Sequence, residues 1–449
     1  MVSYRSPKPL VWVRFPAPLQ YNYTQLQKYM AQKNIIFLVL LVIILAGVGL
    51  IYIIARPALP VVAVSLNDKA ATEEGVSAVV EANNRFAFDF YAKHKGDSNF
   101  FFSPYSVSSA MSMVYEAAKD STASQIASVF HFPDIKTLEP SSARIYNEIN
   151  KTDKSYSLNT ANALWAQKDY KFLPNYFKTI GEYYGGQLTN LDFISNVENS
   201  RITINNWVED RTNDKIKNLI PQGMISEDTR LVLTNAIYFK GKWQEQFKKK
   251  DTKQENFSIT PKSTIKTDMM QLTGEDARFQ YAENGDVKVL SLPYQGNDLS
   301  MVLILPEDGK TIQDAENYLS VDKFSELKAS MQKWQVDVYV PKFKLETKYF
   351  MSQDLASMGM PIAFSDNANF SGMTGSNDLK IDQVIHQAFV RVDEEGTEAA
   401  AATAITMKVT SAMPQQAKIF RADHPFLFII QQNSTGNILF LGRIDSPGK

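Results

Sequence analysis

The chain contains no cysteine, which excludes disulfides, thiolate metal sites, a cysteine nucleophile and a lipoprotein-type anchor. The lack does not fix the compartment, because exported proteins without disulfides are common outside small disulfide-rich domains. Histidine is scarce: His94, His131, His386 and His424 are the only four in 449 residues. There is no Gly-x-Ser-x-Gly elbow, no His-Glu-x-x-His helix and no phosphate-binding glycine loop. His131 follows "ASVF" and His424 sits in "ADHPF", settings of structural histidines rather than general bases. The expectation is a protein that is not an enzyme and that uses neither metal nor cofactor.

Negative charge is missing from one region. Residues 1–56 hold Arg5, Lys8, Arg14, Lys28, Lys33 and Arg56 and no acid, so all 48 acidic residues follow. The remainder is mildly acidic and offers no electrostatic footprint for nucleic acid. Its densest basic run, "FKKKDTK" (247–253), reads as a solvated loop. From Ile35 to Ala55 the chain runs uncharged for 21 residues. That length suits a membrane-crossing helix at about 1.5 Å per residue. A cleaved signal peptide is the alternative, although its apolar core usually spans only about 7–15 residues. The basic flank keeps the first end in the cytoplasm by the positive-inside rule. The expected organisation is a cytoplasmic tail (1–33), a signal-anchor helix (34–56), a linker (57–75) and one domain (76–449) outside the cytoplasm. Secretion after signal cleavage is the alternative, and Met30 is a second candidate start.

A hydrophobic content of 44 % against 21 % charged supports a substantial core. Helical spacing marks 76–94, 106–119 and 200–220, the second with Ser103-Pro104 just ahead of it. Nearly continuous apolar runs at 230–243 and 299–307 predict buried strands, and 334–346 alternates until Pro341. Helices come early and strands dominate later, which argues for an α+β fold.

One stretch, "DEEGTEAAAATAITMKV" (393–409), fits neither class easily. Its alanines favour a helix capped by Thr397, whereas Thr403, Ile405, Thr406 and Val409 favour a strand. As a strand, one face would carry Thr397, Ala399, Ala401, Thr403, Ile405 and Met407. The other would carry Glu398, Ala400, Ala402, Ala404, Thr406 and Lys408, so one face could be buried without burying a charge. Gly396 provides a hinge free of Cβ restrictions.

These residues resemble the reactive-centre-loop hinge of inhibitory serpins: Glu395, Gly396, Thr397, Glu398, Ala399, Ala400, Ala401 and Ala402. Three further stretches, 99–118, 231–247 and 419–430, resemble serpin motifs in serpin order. The resemblance covers roughly residues 76–449. It implies a fold of three β-sheets, about nine helices and an exposed loop, and a suicide mechanism. A serine protease attacks the loop and forms an acyl-enzyme, after which the loop inserts as a strand into the large sheet and the tethered protease is distorted. The resemblance further implies a polar shutter of Ser103, Ser106, Asn235 and His386. It places Lys240, Gly241 and Trp243 at the breach, beneath the point where the loop enters. Counting forwards from Gly396 gives Thr410–Ser411 as the scissile bond, and counting back from Phe420 gives Ser411–Ala412. These small residues point to an elastase-like or subtilisin-like target serine protease for a monomeric inhibitor. The alternative is a serpin-fold binding or structural protein that never traps a protease.

Overall fold

The computed structural model describes residues 65–96, 98–151, 154–397 and 416–448. The apolar span 35–55, the tail before it, the hinge residues Glu398 to Ala402 and the bonds at Thr410, Ser411 and Ala412 lie outside the described residues. Among those described, no helix is long and apolar enough to cross a membrane.

The first helix, α1 (Glu73–Lys93), starts where the Thr72 hydroxyl accepts the Gly75 amide, with Glu73 and Glu74 complementing the helix dipole. Leu66, further back, is buried, and the Asn147 side chain brackets its backbone at 2.8 and 2.9 Å. Packed structure therefore begins inside the segment expected to be a linker. Helix α2 (Pro104–Ala117) is capped by Ser103, carries Pro104 in its first turn and is buried on nearly every face, as its small residues require. Then come α3 (Asp120–Phe130), α4 (Ile135–Ile149), α5 (Pro174–Tyr183) and α6 (Val197–Arg211). The helix expected over 200–220 stops at Arg211, because Asn213 and Asp214 take left-handed backbone angles, φ 52° and 58°. Four short helices follow: α7 (Ile312–Glu316), α8 (Val321–Ala329), α9 (Ser352–Met358) and α10 (Ser371–Thr374).

The strands are β1 (Phe100–Phe102), β2 (Tyr156–Gln167), β3 (Gln187–Leu191), β4 (Leu231–Lys242), β5 (Lys253–Thr260), β6 (Ser263–Leu272), β7 (Arg278–Glu283) and β8 (Val287–Pro293). They continue with β9 (Leu299–Pro306), β10 (Gln332–Pro341), β11 (Phe343–Phe350), β12 (Gln383–Asp393), β13 (Gly396–Thr397), β14 (Lys418–Arg421), β15 (Phe426–Gln432) and β16 (Ile438–Ile444). One sheet runs β11-β12-β13-β4-β2-β3. The rest form a continuous path that β10 divides: Gln332–Gln335 pair with β7, and the half from Val336 on pairs with β14 and β6. Pro341 ends β10, as its missing amide requires.

The six-stranded sheet has two differently covered faces. Ile237, Phe239, Ala388 and Val390 point inward onto Phe428, Phe440 and Leu303 of the second sheet. Ala236, Tyr238, Ile385 and Phe389 point outward to a smaller cluster with Ile204 and Val208 of α6. Both faces of β4 are thus buried, which explains its unbroken apolar run.

Candidate functional site

The two central strands of the large sheet, β4 and β12, run parallel and pair directly from Gln383↔Val232 to Phe389↔Tyr238. Beyond that point β13 lies between them, with Thr397 opposite both Val392 and Gly241 and Gly396 opposite both Asp393 and Lys242. Two residues of the chain thus already occupy a strand position between β4 and β12. Only glycine fits the turn that leads there: Gly396 has φ +151°, and a Cβ on it would lie 2.1 Å from the Gly241 carbonyl oxygen. Gly241 is constrained in turn, because a Cβ there would sit 2.8 Å from the Phe239 ring and 3.0 Å from that of Tyr294.

A buried aromatic floor supports this end. Trp243 stacks on Tyr294 with ring centroids 4.7 Å apart, and the Tyr294 hydroxyl lies 2.8 Å from Thr397 Oγ1, whose residue is fully buried. Burial holds the Tyr294 phenol neutral, its pKa raised far above the usual range. Trp243 donates its indole N–H to the Asp393 carbonyl at 3.0 Å and its backbone amide to that of Glu395 at 3.0 Å. Charged pairs clasp the chain at the start of the hinge and the residue before it. Lys249 Nζ lies 2.6 Å from Glu395, and Glu394 meets Lys342 at 3.1 Å and accepts the Thr252 hydroxyl at 2.8 Å. Burial opposes ionisation of Glu394, but its own amide, Thr252 and Lys342 outweigh this and hold the carboxyl below its ordinary value. The run "FKKKDTK" is therefore more than a solvated loop, since Lys249 and Thr252 both hold the hinge. Lys240 lies half-buried on β4 opposite Ser157.

Farther down, register alone aligns a row across the sheet: Tyr349, His386, Asn235 and Asn162 on β11, β12, β4 and β2. The His386 ring stacks parallel to Tyr349. Its Nε2 accepts the Ser103 amide at 3.1 Å, so Nδ1 carries the proton and donates to Asn235 Oδ1. Asn235 Nδ2 donates to the Ser106 hydroxyl at 2.5 Å, to the Ser106 carbonyl at 2.8 Å and to Asn162 Oδ1. Ser103 donates its hydroxyl to the Leu439 carbonyl at 2.6 Å and accepts the Ser106 amide. The structure thus brings Ser103, Ser106, Asn235 and His386 into one hydrogen-bonded group on the α2 N-terminus. Burial pushes the His386 pKa down to about 3, so the group is neutral. Among the described residues, no cluster of three His, Asp or Glu could hold a metal ion.

Sequence reasoning missed Tyr294, Asn162, Lys342 and Thr252. Only the tyrosine carried a signal, as the last large residue of an apolar run ahead of the turn "QGN".

A large sheet that admits a further segment of its own chain at one end, and is closed below by neutral polar groups, defines a strand-accepting α+β fold. The family model for serpins, serine protease inhibitors, matches residues 81–447, and the chain belongs to that family. An uncharacterised serpin-like protein of Methanosarcina acetivorans is 45 % identical over 378 residues, 82 % of this chain and 88 % of that one. Human leukocyte elastase inhibitor is 41 % identical over 376 residues, 82 % of this chain and 98 % of its own. Among solved structures, human thyroxine-binding globulin complexed with thyroxine superposes with a TM-score of 0.75 at 28 % identity, covering 84 % of this chain and all of that one.

Proposed function

We propose that this serpin is an inhibitory, membrane-anchored trap for serine proteases. The observation that carries the reading is β13: the loop's first residues already sit between β4 and β12. If the register of β13 continues, each residue of the loop meets β4 and β12 at fixed partners. Thr403 would then fall opposite both Asn235 and His386, where its hydroxyl could take over the hydrogen bond that insertion breaks. Thr397, Ala399, Ala401 and Ile405 would face inward, and Glu398 and Lys408 would face outward. In the reaction the protease serine attacks the Thr410 carbonyl (Ser411 in the alternative register), and the amine of the next residue leaves. The resulting ester tethers the enzyme to a strand that is moving down the sheet. The segment from Thr397 to Thr410 must be small to outrun hydrolysis of that ester.

The small residues around the bond and the likeness to leukocyte elastase inhibitor support an elastase-like or subtilisin-like target. Residues 34–56 anchor the chain, with 1–33 in the cytoplasm and the serpin domain outside. The competing reading, a binding serpin that traps nothing, draws on the likeness to thyroxine-binding globulin. The test is to incubate the full chain in detergent with elastase-like, subtilisin-like and trypsin-like enzymes, followed by denaturing gels and mass mapping. A denaturant-stable adduct cut between Thr410 and Met413 supports the trap. Loop cleavage without adduct by every enzyme supports the binding reading.

A further inference from the structure

On the outer face of the large sheet a row of cations crosses the seam. Lys344 on β11 stands directly opposite Arg391 on β12, and Lys240 on β4 stands opposite Ser157 on β2. Arg391 shares its face with Ile385 and Phe389, and Lys240 with Ala236 and Tyr238, all four of them in the outer cluster. Lys344 lies on the same face, its Nζ 5.2 Å from the centre of the Phe389 ring. Among the described residues, the only acid within ion-pair reach of these three cations is Asp393, 3.8 Å from Arg391. Glu346, next down this face of β11, is engaged by the Gln387 amide at 3.1 Å. Like charges side by side across strands are unfavourable, so the row calls for an anion.

The chain that enters the seam carries one. β13 runs antiparallel to both neighbours, with Thr397 opposite Gly241 and Val392. One residue further in register the partners are Lys240 and Arg391, and the next residue of the chain is Glu398. Thr397 turns inward to the Tyr294 hydroxyl, so by alternation the following side chain faces outward, with both cations. Adjacent strands lie about 4.8 Å apart, which puts a carboxylate there within reach of the lysine on one side and the arginine on the other. Glu398 is also the only acid between Gly396 and Lys418, so the loop's single anion falls at this row.

We propose that Lys240 and Arg391 form a carboxylate latch for Glu398, as positioning residues that fix the register of the loop as it enters the seam. The latch rests on the reading of the loop as an inserting strand. A slip of two residues keeps the faces but sets Gly396 or Ala400 between the cations, so charge selects one register among those the pleat allows.

The experiment is thermal unfolding of the full chain in detergent, cut between Thr410 and Met413, as wild type, Glu398→Lys, Arg391→Glu and the double variant. Glu398→Lys completes a row of like charges and should lower the melting temperature of the cut protein by about 1–3 °C. Adding Arg391→Glu should recover at least half of that loss, more than the same change gives in the wild type, and the difference should shrink in 1 M salt. A cut wild type that melts no higher than the uncut one overturns the inserting strand and the latch with it. A cut wild type that melts higher, with Arg391→Glu acting equally in both backgrounds, overturns the latch alone. If Glu398→Lys changes nothing while sulfate raises the melting of the wild type but not of Arg391→Glu, the row takes a solution anion and the latch is again overturned.

Discussion

The seam between β4 and β12 differs at its two ends. In its lower part the strands pair directly, and neutral groups (His386, Asn235, Ser103 and Ser106) tie them to each other and to α2. At the upper end β13 separates them, on an aromatic floor and between charged clasps. One end is already parted and the other is locked, so resistance to a longer inserted strand is concentrated at the His386–Asn235 row. Breaking the upper end should change whether a strand starts to enter, and breaking the row should change how readily the sheet opens further.

The largest effect is expected from Thr397→Arg. Thr397 is fully buried, hydrogen-bonded to Tyr294 and next to the Trp243 floor, so an arginine there buries an unpaired charge or expels the hinge. A penalty of about 1.4 kcal/mol on insertion relative to ester hydrolysis is already tenfold. If the protein traps proteases as proposed, the number of its molecules consumed per protease trapped should therefore rise by at least about tenfold, measured by titrating the enzyme. An unchanged ratio would mean that insertion does not begin at Thr397.

How far the sequence foretold this contrast differs between the two ends. Of the two strands of the seam only β4 was legible, because both of its faces are buried, which leaves an uninterrupted apolar run; β12 was not read as a strand. Gly396 and Thr397 were legible from hinge composition. Ser103, Ser106, Asn235 and His386 are scattered along the chain, and only the family resemblance grouped them; the sheet register that aligns His386 with Asn235 is a tertiary property. Lys249 was misread because a basic run looks the same whether or not an acid arrives from a distant turn. The overrun of α6 has a local cause, since asparagine and aspartate tolerate the left-handed angles that end it.

The lower end should be acid-labile. His386 is neutral when folded, with a pKa of about 3 against an ordinary 6.5, so the unfolded chain binds the extra proton between those values. Stability is then complete above pH 6.5 and falls as pH drops toward 3, by up to about 1.4 kcal/mol per unit. Urea titrations across that range should show the slope, and His386→Gln should remove it. Glu394 has a depressed pKa, so its contribution is present above its ordinary 4.5 and is lost as pH falls through the lower folded value.

Two smaller changes separate floor from clasp. Tyr294→Phe keeps the stack on Trp243 but deletes the hydrogen bond to Thr397, and should cost about 0.5–1.5 kcal/mol in urea unfolding. Lys249→Ala should cost less, within about 1 kcal/mol and vanishing in high salt, because the lysine side chain is 67 % exposed. If Lys249→Ala outweighs Tyr294→Phe, the charged clasp rather than the buried floor holds the upper end.

The central claim is that the gap begun by β13 is the lower-energy home of the whole segment once the loop is cut. It is tested most directly by thermal unfolding of the full chain before and after cleavage between Thr410 and Met413. Insertion adds a fully paired central strand, so the cleaved protein should melt higher by about 10 °C or more. A melting temperature that is unchanged or lowered by the cut would contradict the account.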